Sequence, residues 1–145
     1  QERNIKSVMG NNMNKIGVSQ KAIILSNEGK LLAIRRSETA LVRPLHWDLP
    51  GGDLDYGEDP IQGIIREVKE ETGLAVENPE PFDVEAHINP GDEFWVTIAY
   101  KSRCVSENVV LSYEHDEFKW VTADEFLQLK SSDKLQRFVR KLIPA

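Results

Sequence analysis

Residues 52–74 read GDLDYGEDPIQGIIREVKEETGL, a glycine turn followed by a run with helical periodicity. Asp59 is a suitable N-cap with Pro60 at the first helical position, and Gly73 stands where a helix commonly ends. We therefore predict a helix over 60–72. Its apolar residues share a stripe about 100° wide, typical of a helix packed on a sheet: Ile61, Ile64, Ile65 and Val68.

Acidic side chains occupy the neighbouring arc of the same predicted helix. Because each residue turns a helix by about 100°, Glu67, Glu70 and Glu71 fall within one arc of similar width. Crowded carboxylates repel one another and raise one another's pKa values unless a cation lies among them. A hard divalent cation with oxygen ligands, Mg²⁺ or Mn²⁺, meets this need. The segment therefore predicts a metal site.

The spacing of these residues resembles the Nudix box, G-x5-E-x7-R-E-U-x-E-E-x-G-U, in which U is apolar. Val68 and Leu74 fill the apolar slots, and all the fixed letters match, at Gly52, Glu58, Arg66, Glu67, Glu70, Glu71 and Gly73. Such agreement arises by chance roughly once in 10⁸ start positions. The alternative interpretation is a solvated, charged helix face, which accounts for most short runs of glutamate.

The whole chain has the size and composition of one globular domain. Of its 145 residues, 40% are hydrophobic and 29% are charged, which suits a single core. The net charge of −6 gives no general attraction to nucleic acid or an anionic membrane, so neither partner is expected. A single cysteine, Cys104, rules out an intramolecular disulfide and favours a reducing, cytoplasmic location. Residues 1–14 are polar and Asn-rich, so we expect a flexible or artificially added extension before a domain over 15–145.

Strands and helices are expected in an order that includes hairpins. We predict helices that start at Thr122 and at about residue 132, an extended piece at 46–52, and strands at 16–26, 30–36, 82–89, 93–104 and 117–121. This order, in which strands are followed by a helix, further strands and further helices, favours a mixed sheet with helices on its faces. The resemblance implies an α/β fold, the Nudix α/β/α sandwich around a mixed sheet.

The resemblance also implies hydrolysis of a phosphoanhydride bond in a nucleoside diphosphate derivative. A polyphosphate repels both hydroxide and carboxylates, so metal must bridge the anions and position the water. Carried over to this chain, Glu70 and Glu71 are metal ligands, and Glu67 is a ligand or an orienting base. The carbonyl of Gly51 is a candidate backbone ligand. Spacing alone does not separate ligand from base.

Other members of the motif are expected to support the acids. Arg66 would pair with Glu67 or Glu58 and hold its rotamer, while Glu58 is an outer ligand or a structural acceptor. Gly63 costs roughly 1 kcal/mol in a helix relative to Ala, which predicts close packing of the 51–52 turn over the acidic side. The structural members of the motif are then Gly52, Glu58 and Gly73.

An acid outside the motif precedes a tryptophan-bearing strand at 113–120. Glu114 resembles the residue that serves as an extra ligand or general base in MutT-like members, with a solvated loop acid as the alternative. Glu117 ranks behind it. His115 is interpreted as a surface loop residue rather than a base.

The candidate substrate contacts are basic or aromatic. Arg35 and Arg36 end a strand and point to opposite faces, so that one can bind phosphate while the other is exposed. Arg43, in the loop before Trp47, can reach a terminal phosphate. Three aromatic residues can stack on a base, with core burial expected for at least two of them: Trp47, Phe94 and Trp95.

Several substrates fit this pattern. The small size and Glu114 favour a MutT-like nucleoside triphosphate pyrophosphohydrolase, acting as a monomer or homodimer. Pro90 lies near a proline typical of ADP-ribose hydrolases, so an ADP-ribose or nucleotide-sugar pyrophosphatase is the alternative. The tyrosine typical of dinucleoside polyphosphate hydrolases is absent from 91–93. From another class, a non-catalytic nucleotide-binding module would tolerate loss of box acids, and an isopentenyl diphosphate isomerase needs a Cys-His context that Cys104 lacks.

Overall fold

The computed structural model of the protein describes residues 15–144, so the expected extension over 1–14 lies outside it. The described elements are β1 (Ile16–Leu25), β2 (Leu31–Arg36), β3 (Trp47–Asp48), β4 (Gly51–Asp53), α1 (Pro60–Thr72), β5 (Val76–Ile88), β6 (Phe94–Cys104), β7 (His115–Val121), α2 (Ala123–Leu127) and α3 (Asp133–Arg140). None of these helices is long and apolar enough to span a membrane.

The strands form one mixed sheet of seven strands. Its order is β3-β2-β1-β6-β5, with β7 beside β2 and β4 beside β1. β1 and β6 are parallel along the whole of β1, and the other neighbours are antiparallel. The expectation of a mixed sheet is confirmed.

Alternation along the central strands divides the core between the two faces of the sheet. Ile23 packs with Phe138 on the face covered by α2 and α3. The next residue, Ile24, packs with Val68 of α1 on the other face. Because both faces are buried, these strands have almost continuous apolar sequences. The layers are those of the expected α/β/α sandwich.

Local signals define the ends of α1. The Asp59 side chain accepts a hydrogen bond from the backbone N–H of Gln62, Pro60 begins the helix, and Gly73 ends it in the left-handed conformation with φ 74°. These side-chain and backbone preferences act over a few residues, and the predicted helix over 60–72 is confirmed.

Two strands begin earlier than predicted. β5 starts at Val76 rather than at residue 82, and its register against β6 shifts near Pro79 and Pro81. Proline cannot donate to a ladder, but it is tolerated on an edge strand and at bulges, and β5 is an edge strand. β7 starts at His115 rather than at residue 117, and His115 is buried. The interpretation of His115 as a surface loop residue is wrong.

Candidate active site

A cleft of about 1240 Å³ opens at one end of the sheet. Residues from the motif and from distant loops line it, including Arg36, Arg43, Trp47, Gly51, Gly52, Glu71 and Glu114. Of the three helical acids of the motif, only Glu71 reaches the wall of the cleft. The other two occupy different environments, one buried and one exposed.

Glu67 is the buried acid. Its side chain lies beneath the glycine turn, and its Oε1 atom has no hydrogen-bond partner among residues 15–144. A Cβ atom added to Gly52 would lie 1.7 Å from Glu67 Oε2, so only glycine leaves room for this carboxylate. Burial raises the pKa of Glu67 to about 8, against the opposing charge of Arg66. An unpaired buried carboxylate is costly, which makes Glu67 the group most in need of a partner.

Glu71 is held by the same turn. The backbone N–H of Gly51 donates to Glu71 Oε1 at 2.9 Å. Burial raises the pKa of Glu71, and Lys21 opposes that rise. Gly51 itself packs against β1, where an added Cβ atom would lie 1.9 Å from the carbonyl oxygen of Gln20. The two glycines therefore bring the backbone close to both β1 and the acids.

Arg66 organises the outer acids. Its Nε and Nη2 atoms donate to the two carboxylate oxygens of Glu58 at 2.7 and 3.0 Å, and Nη1 donates to Glu70 at 2.6 Å. The hydrogen bonds from Arg66 lower the pKa of Glu58. Of the two expected partners, Glu58 rather than Glu67 receives the guanidinium. Glu70 remains largely exposed.

Gly63 has a different role from the one predicted. A Cβ atom there would lie 3.0 Å from the Glu58 carboxyl group and 3.1 Å from Gln20 Oε1. The missing side chain makes room for these two polar groups and not for the glycine turn. The close packing predicted between the 51–52 turn and the acidic side of the helix does occur, but it is the contact of Gly52 with Glu67.

The acids do not converge on one point. Within residues 15–144, no three His, Cys, Asp or Glu side chains are gathered closely enough to hold a metal ion. Glu70 is paired with Arg66, and Glu71 with the backbone of Gly51. Any cation would require small movements of these side chains.

The two neighbouring arginines point apart, as predicted. Arg36 lines the cleft, where its Nε donates to the carbonyl of Val42 at 2.7 Å. Arg35 does not line the cleft and makes a two-point contact with Asp116, at 2.9 and 3.2 Å. Arg36 is therefore the better placed of the two for contact with a substrate, together with Arg43 on the neighbouring loop.

The aromatic candidates differ in burial. Trp47 belongs to the core, with 7% of its surface exposed, and also reaches the cleft. Trp95 is half-buried and lines the cleft, where its ring lies over Gly17. Phe94 is 38% exposed and lies elsewhere. The expectation that at least two of them are buried is wrong.

Glu114 lies at the cleft on an exposed turn. Its carbonyl accepts a hydrogen bond from the backbone of Ser37 at 3.0 Å, which joins this turn to the end of β2. Its carboxylate is exposed beside the cleft. This position leaves the acid free to meet a ligand.

A model of the NUDIX domain matches residues 15–143 of this chain. The chain belongs to the Nudix family. Its Nudix domain is 36% identical over 110 residues to a MutT-like protein of Streptomyces ambofaciens, covering 74% of this chain and 65% of that protein. The chain thus spans just under two-thirds of that relative. It is also 29% identical over 106 residues to an asymmetrical bis(5'-nucleosyl)-tetraphosphatase of Caenorhabditis elegans, covering 68% of this chain and 74% of that enzyme.

Solved structures share the fold of this Nudix domain. A MutT protein from Methanosarcina mazei Go1 superimposes with a TM-score of 0.75 at 28% identity, covering 89% of this chain and 94% of that one. A MutT NUDIX hydrolase from Burkholderia pseudomallei gives 0.78 at 25% identity, covering 90% and 100%. The expected Nudix sandwich is confirmed.

A polar network beyond the Nudix box was not predicted. Lys21 Nζ donates to Asp48 Oδ1 at 2.9 Å and to the carbonyl of Leu49 at 3.2 Å. Burial opposes ionisation of Asp48, but Lys21 and His115 outweigh it and hold its pKa well below the usual range. Within the described part of the chain, both ring nitrogens of His115 lack hydrogen-bond partners, and Nε2 lies 3.8 Å from Asp48 Oδ2. The sequence did contain a signal for this network. Lys21 lies two residues before buried Ile23 on the same strand, so its charged side chain points to the same face of the sheet.

Proposed function

We propose that this Nudix domain hydrolyses a phosphoanhydride bond in a nucleoside diphosphate derivative with the help of Mg²⁺ or Mn²⁺. The observation that carries the proposal is the buried carboxylate of Glu67, which has an oxygen without a partner and is enclosed by Gly52. A cation would satisfy that oxygen and remove the electrostatic cost of the buried charge.

The donors around Glu67 suit a hard cation. Carboxylates of Glu67, Glu70 and Glu71 would hold it, with the Gly51 carbonyl as a backbone ligand and Glu114 from the facing turn. All of these are oxygen donors, which Mg²⁺ and Mn²⁺ prefer. When bound, the metal supplies charge neutralisation on the phosphate oxygens and lowers the pKa of a bound water.

The residues of the chain supply positioning and proton transfer. Arg66 orients Glu58 and Glu70 through its three hydrogen bonds. The amide of Gly51 holds Glu71 in place. Glu114, exposed at the cleft, is our candidate to take the proton from the attacking water, and Glu67 is the alternative.

The preferred substrate is a nucleoside triphosphate, cleaved to a monophosphate and pyrophosphate. The similarity to the MutT-like protein of Streptomyces supports this choice. Basic side chains at the cleft, Arg36 and Arg43, can meet a triphosphate, and Trp95 offers a surface for a base. ADP-ribose or a nucleotide sugar is the alternative. A non-catalytic nucleotide-binding module is the alternative from another class.

A dinucleoside polyphosphate is a second candidate. The similarity to the tetraphosphatase of Caenorhabditis elegans favours it. The cleft volume of about 1240 Å³ also exceeds the range of about 300–1,000 Å³ usual for small-ligand pockets, which leaves room for a second nucleoside.

A panel of nucleotides distinguishes these substrates. The purified chain is incubated with dNTPs, oxidised dGTP, ADP-ribose, nucleotide sugars and dinucleoside polyphosphates, each with Mg²⁺ or Mn²⁺. Pyrophosphate and a nucleoside monophosphate from a triphosphate are the expected products. No turnover of any compound, with nucleotide binding intact, would favour a binding module instead.

Glu70→Gln tests whether hydrolysis occurs at the Nudix box. We expect the rate to fall at least about 10²-fold while the fold is retained, because Glu70 is exposed and its loss leaves no cavity. Glu28→Gln, which changes an exposed turn residue, is the matched control. Equal rates for the two variants would contradict the proposed site.

A further inference from the structure

Part of the sheet is apolar and carries no helix. On the face that α1 covers at one end, eight residues of β1, β5 and β6 extend beyond it. We call these the apolar sheet face: Ile16, Val18, Val84, Ala86, Ile88, Phe94, Val96 and Ile98. Their exposures include 61% for Ile16, 60% for Val84, 66% for Ile88 and 38% for Phe94. Ile98 packs at the border of the core cluster that includes Ile64 and Val68 of α1, and the more exposed residues lie beyond that cluster.

Strand register brings these residues into rows. Ile16 pairs with Phe94, and Phe94 with Ile88, across the three strands. Val18, Val96 and Ala86 form the next row in the same way, and Ile98 and Val84 follow. Successive side chains alternate between faces, so the rows form one continuous surface.

The opposite face of the same strands is polar and belongs to the cleft. Ser19, His87 and Trp95 line the cleft, and Glu85 forms an ion pair with Arg137 of α3. Of the eight residues of the apolar sheet face only Ile88, at the end of β5, also borders the cleft. The other seven do not line it, so the proposed reaction does not explain the face.

We propose that the apolar sheet face binds a second copy of this chain in a two-fold symmetric homodimer. Its residues span about 14 Å along the strands and about 10 Å across them. The exposed parts of its eight side chains together present on the order of 500 Å² of apolar surface. A patch of that size is comparable with the largest apolar patch on a typical monomer, and such patches are often functional. It matches the apolar centre of a standard interface, which buries about 800 Å² on each partner with its polar rim.

The composition of the apolar sheet face allows it to pack against the same face of a second copy. None of its eight side chains carries a charge, so pairing the surface with itself brings no like charges together. Two copies of a regular twisted sheet can stack face to face about 10 Å apart, as in a sandwich. A two-fold axis through the face uses the same residues twice.

Other features of the fold agree with association through the face rather than the edge. β5 is an edge strand, and in its first half Pro79, Pro81 and the register shifts obstruct pairing with another strand. The part of each cleft that lies against these strands is lined mainly from the opposite face, by Ser19, His87 and Trp95. Both clefts would stay open to substrate in the dimer.

The test is the mass of the full chain in solution as a function of concentration. We expect sedimentation equilibrium to give about 33 kDa at tens of micromolar, twice the 16.5 kDa of one chain. Val84→Lys and Ile88→Lys should each give a monomer at the same concentration and keep the circular dichroism spectrum of the folded wild type, since both side chains are exposed. Val105→Lys replaces an equally exposed valine outside the face and should remain dimeric.

A second measurement places the interface. In a mixture of isotope-labelled and unlabelled chains, isotope-filtered NOEs should connect methyl groups of Ile16, Val84 and Ile88 between copies. A wild-type chain that stays monomeric at up to about 200 µM would overturn the proposal, whatever else covers the face. A dimer that resists both lysine substitutions, or that lacks these NOEs, would overturn it as well.

Discussion

Gly52→Ala isolates the contribution of one carboxylate to the proposed reaction. The Cβ atom of alanine would stand 1.7 Å from Glu67 Oε2 and 2.9 Å from its Cδ. Since non-bonded carbon and oxygen atoms need about 3.4 Å, the carboxylate must retreat by about 1.5–2 Å. The backbone at Gly52 is not in the left-handed region, so alanine is not strained there.

This displacement sets the expected size of the effect. A misplacement of about 1 Å in a catalytic group commonly costs about 10²-fold in rate. We therefore expect kcat to fall by at least about 10²-fold, equivalent to about 2.7 kcal/mol of lost transition-state stabilisation. Stability should change little, because the displaced carboxyl group regains contact with water, which offsets the disturbed packing.

Three measurements check this prediction. Steady-state kinetics on the best substrate of the panel give kcat, calorimetric titration gives the affinity for Mg²⁺, and thermal melting gives Tm. Gly91→Ala is the matched control, because its Cβ atom would meet only Asn89 Oδ1, at 3.4 Å. Wild-type rate and metal affinity in Gly52→Ala would refute the argument. A large fall in Tm would also refute it, because the effect would then be on folding.

The remaining predictions concern other side chains of the cleft. In the metal-free wild type, Glu67 keeps its proton up to about pH 8, whereas an ordinary glutamate loses it near 4.5, so stability falls as pH rises between these values and is level above them. Glu67→Gln should lack that fall in stability, so its Tm should exceed that of the wild type at pH 9. The same difference in Tm between the two proteins at pH 5 and at pH 9 would contradict this. Lys21→Met leaves buried Asp48 with Arg36, 3.4 Å away, as its remaining arginine or lysine partner, and should cost about 3 kcal/mol in urea denaturation, the lower end of the range for a broken buried pair. Adding Asp48→Leu should restore most of that loss, and a double variant no more stable than the single one would count against the ion pair. Glu114→Gln should lower turnover more than tenfold, whereas a near-normal rate would return the role of base to Glu67.

Features set by neighbouring residues were predictable from the sequence. The ends of α1 depend on Asp59, Pro60 and Gly73, whose preferences act within one helical turn. The apolar stripe of α1 likewise follows from helical periodicity and is confirmed by burial of Ile64 and Val68. The start of β5 was missed because its prolines lower strand propensity, and pairing with β6 overrides that propensity.

Contacts between distant residues were not predictable in the same way. Lys21 and Asp48 are far apart in sequence. They meet only because β4 pairs with β1, which places the residues just before β4 beside Lys21. The choice of Glu58 over Glu67 by Arg66 also depends on where the 53–59 loop lies. Neither contact leaves a periodic signal in the sequence.

The sequence by itself determined the Nudix helix, the order of the acids on it and the family of the domain, because each depends on spacing along one chain segment. The tertiary structure alone decided how those acids differ. Packing of Gly52 against Glu67 buried one carboxylate and raised its pKa, while Glu70 stayed in solvent beside Arg66. It also decided which part of the sheet the described helices leave uncovered, since α1 begins beside Gln20 and does not extend over Ile16, Ile88 and Phe94. Helical spacing orders charges along a surface, but burial and desolvation depend on what the rest of the chain packs against them.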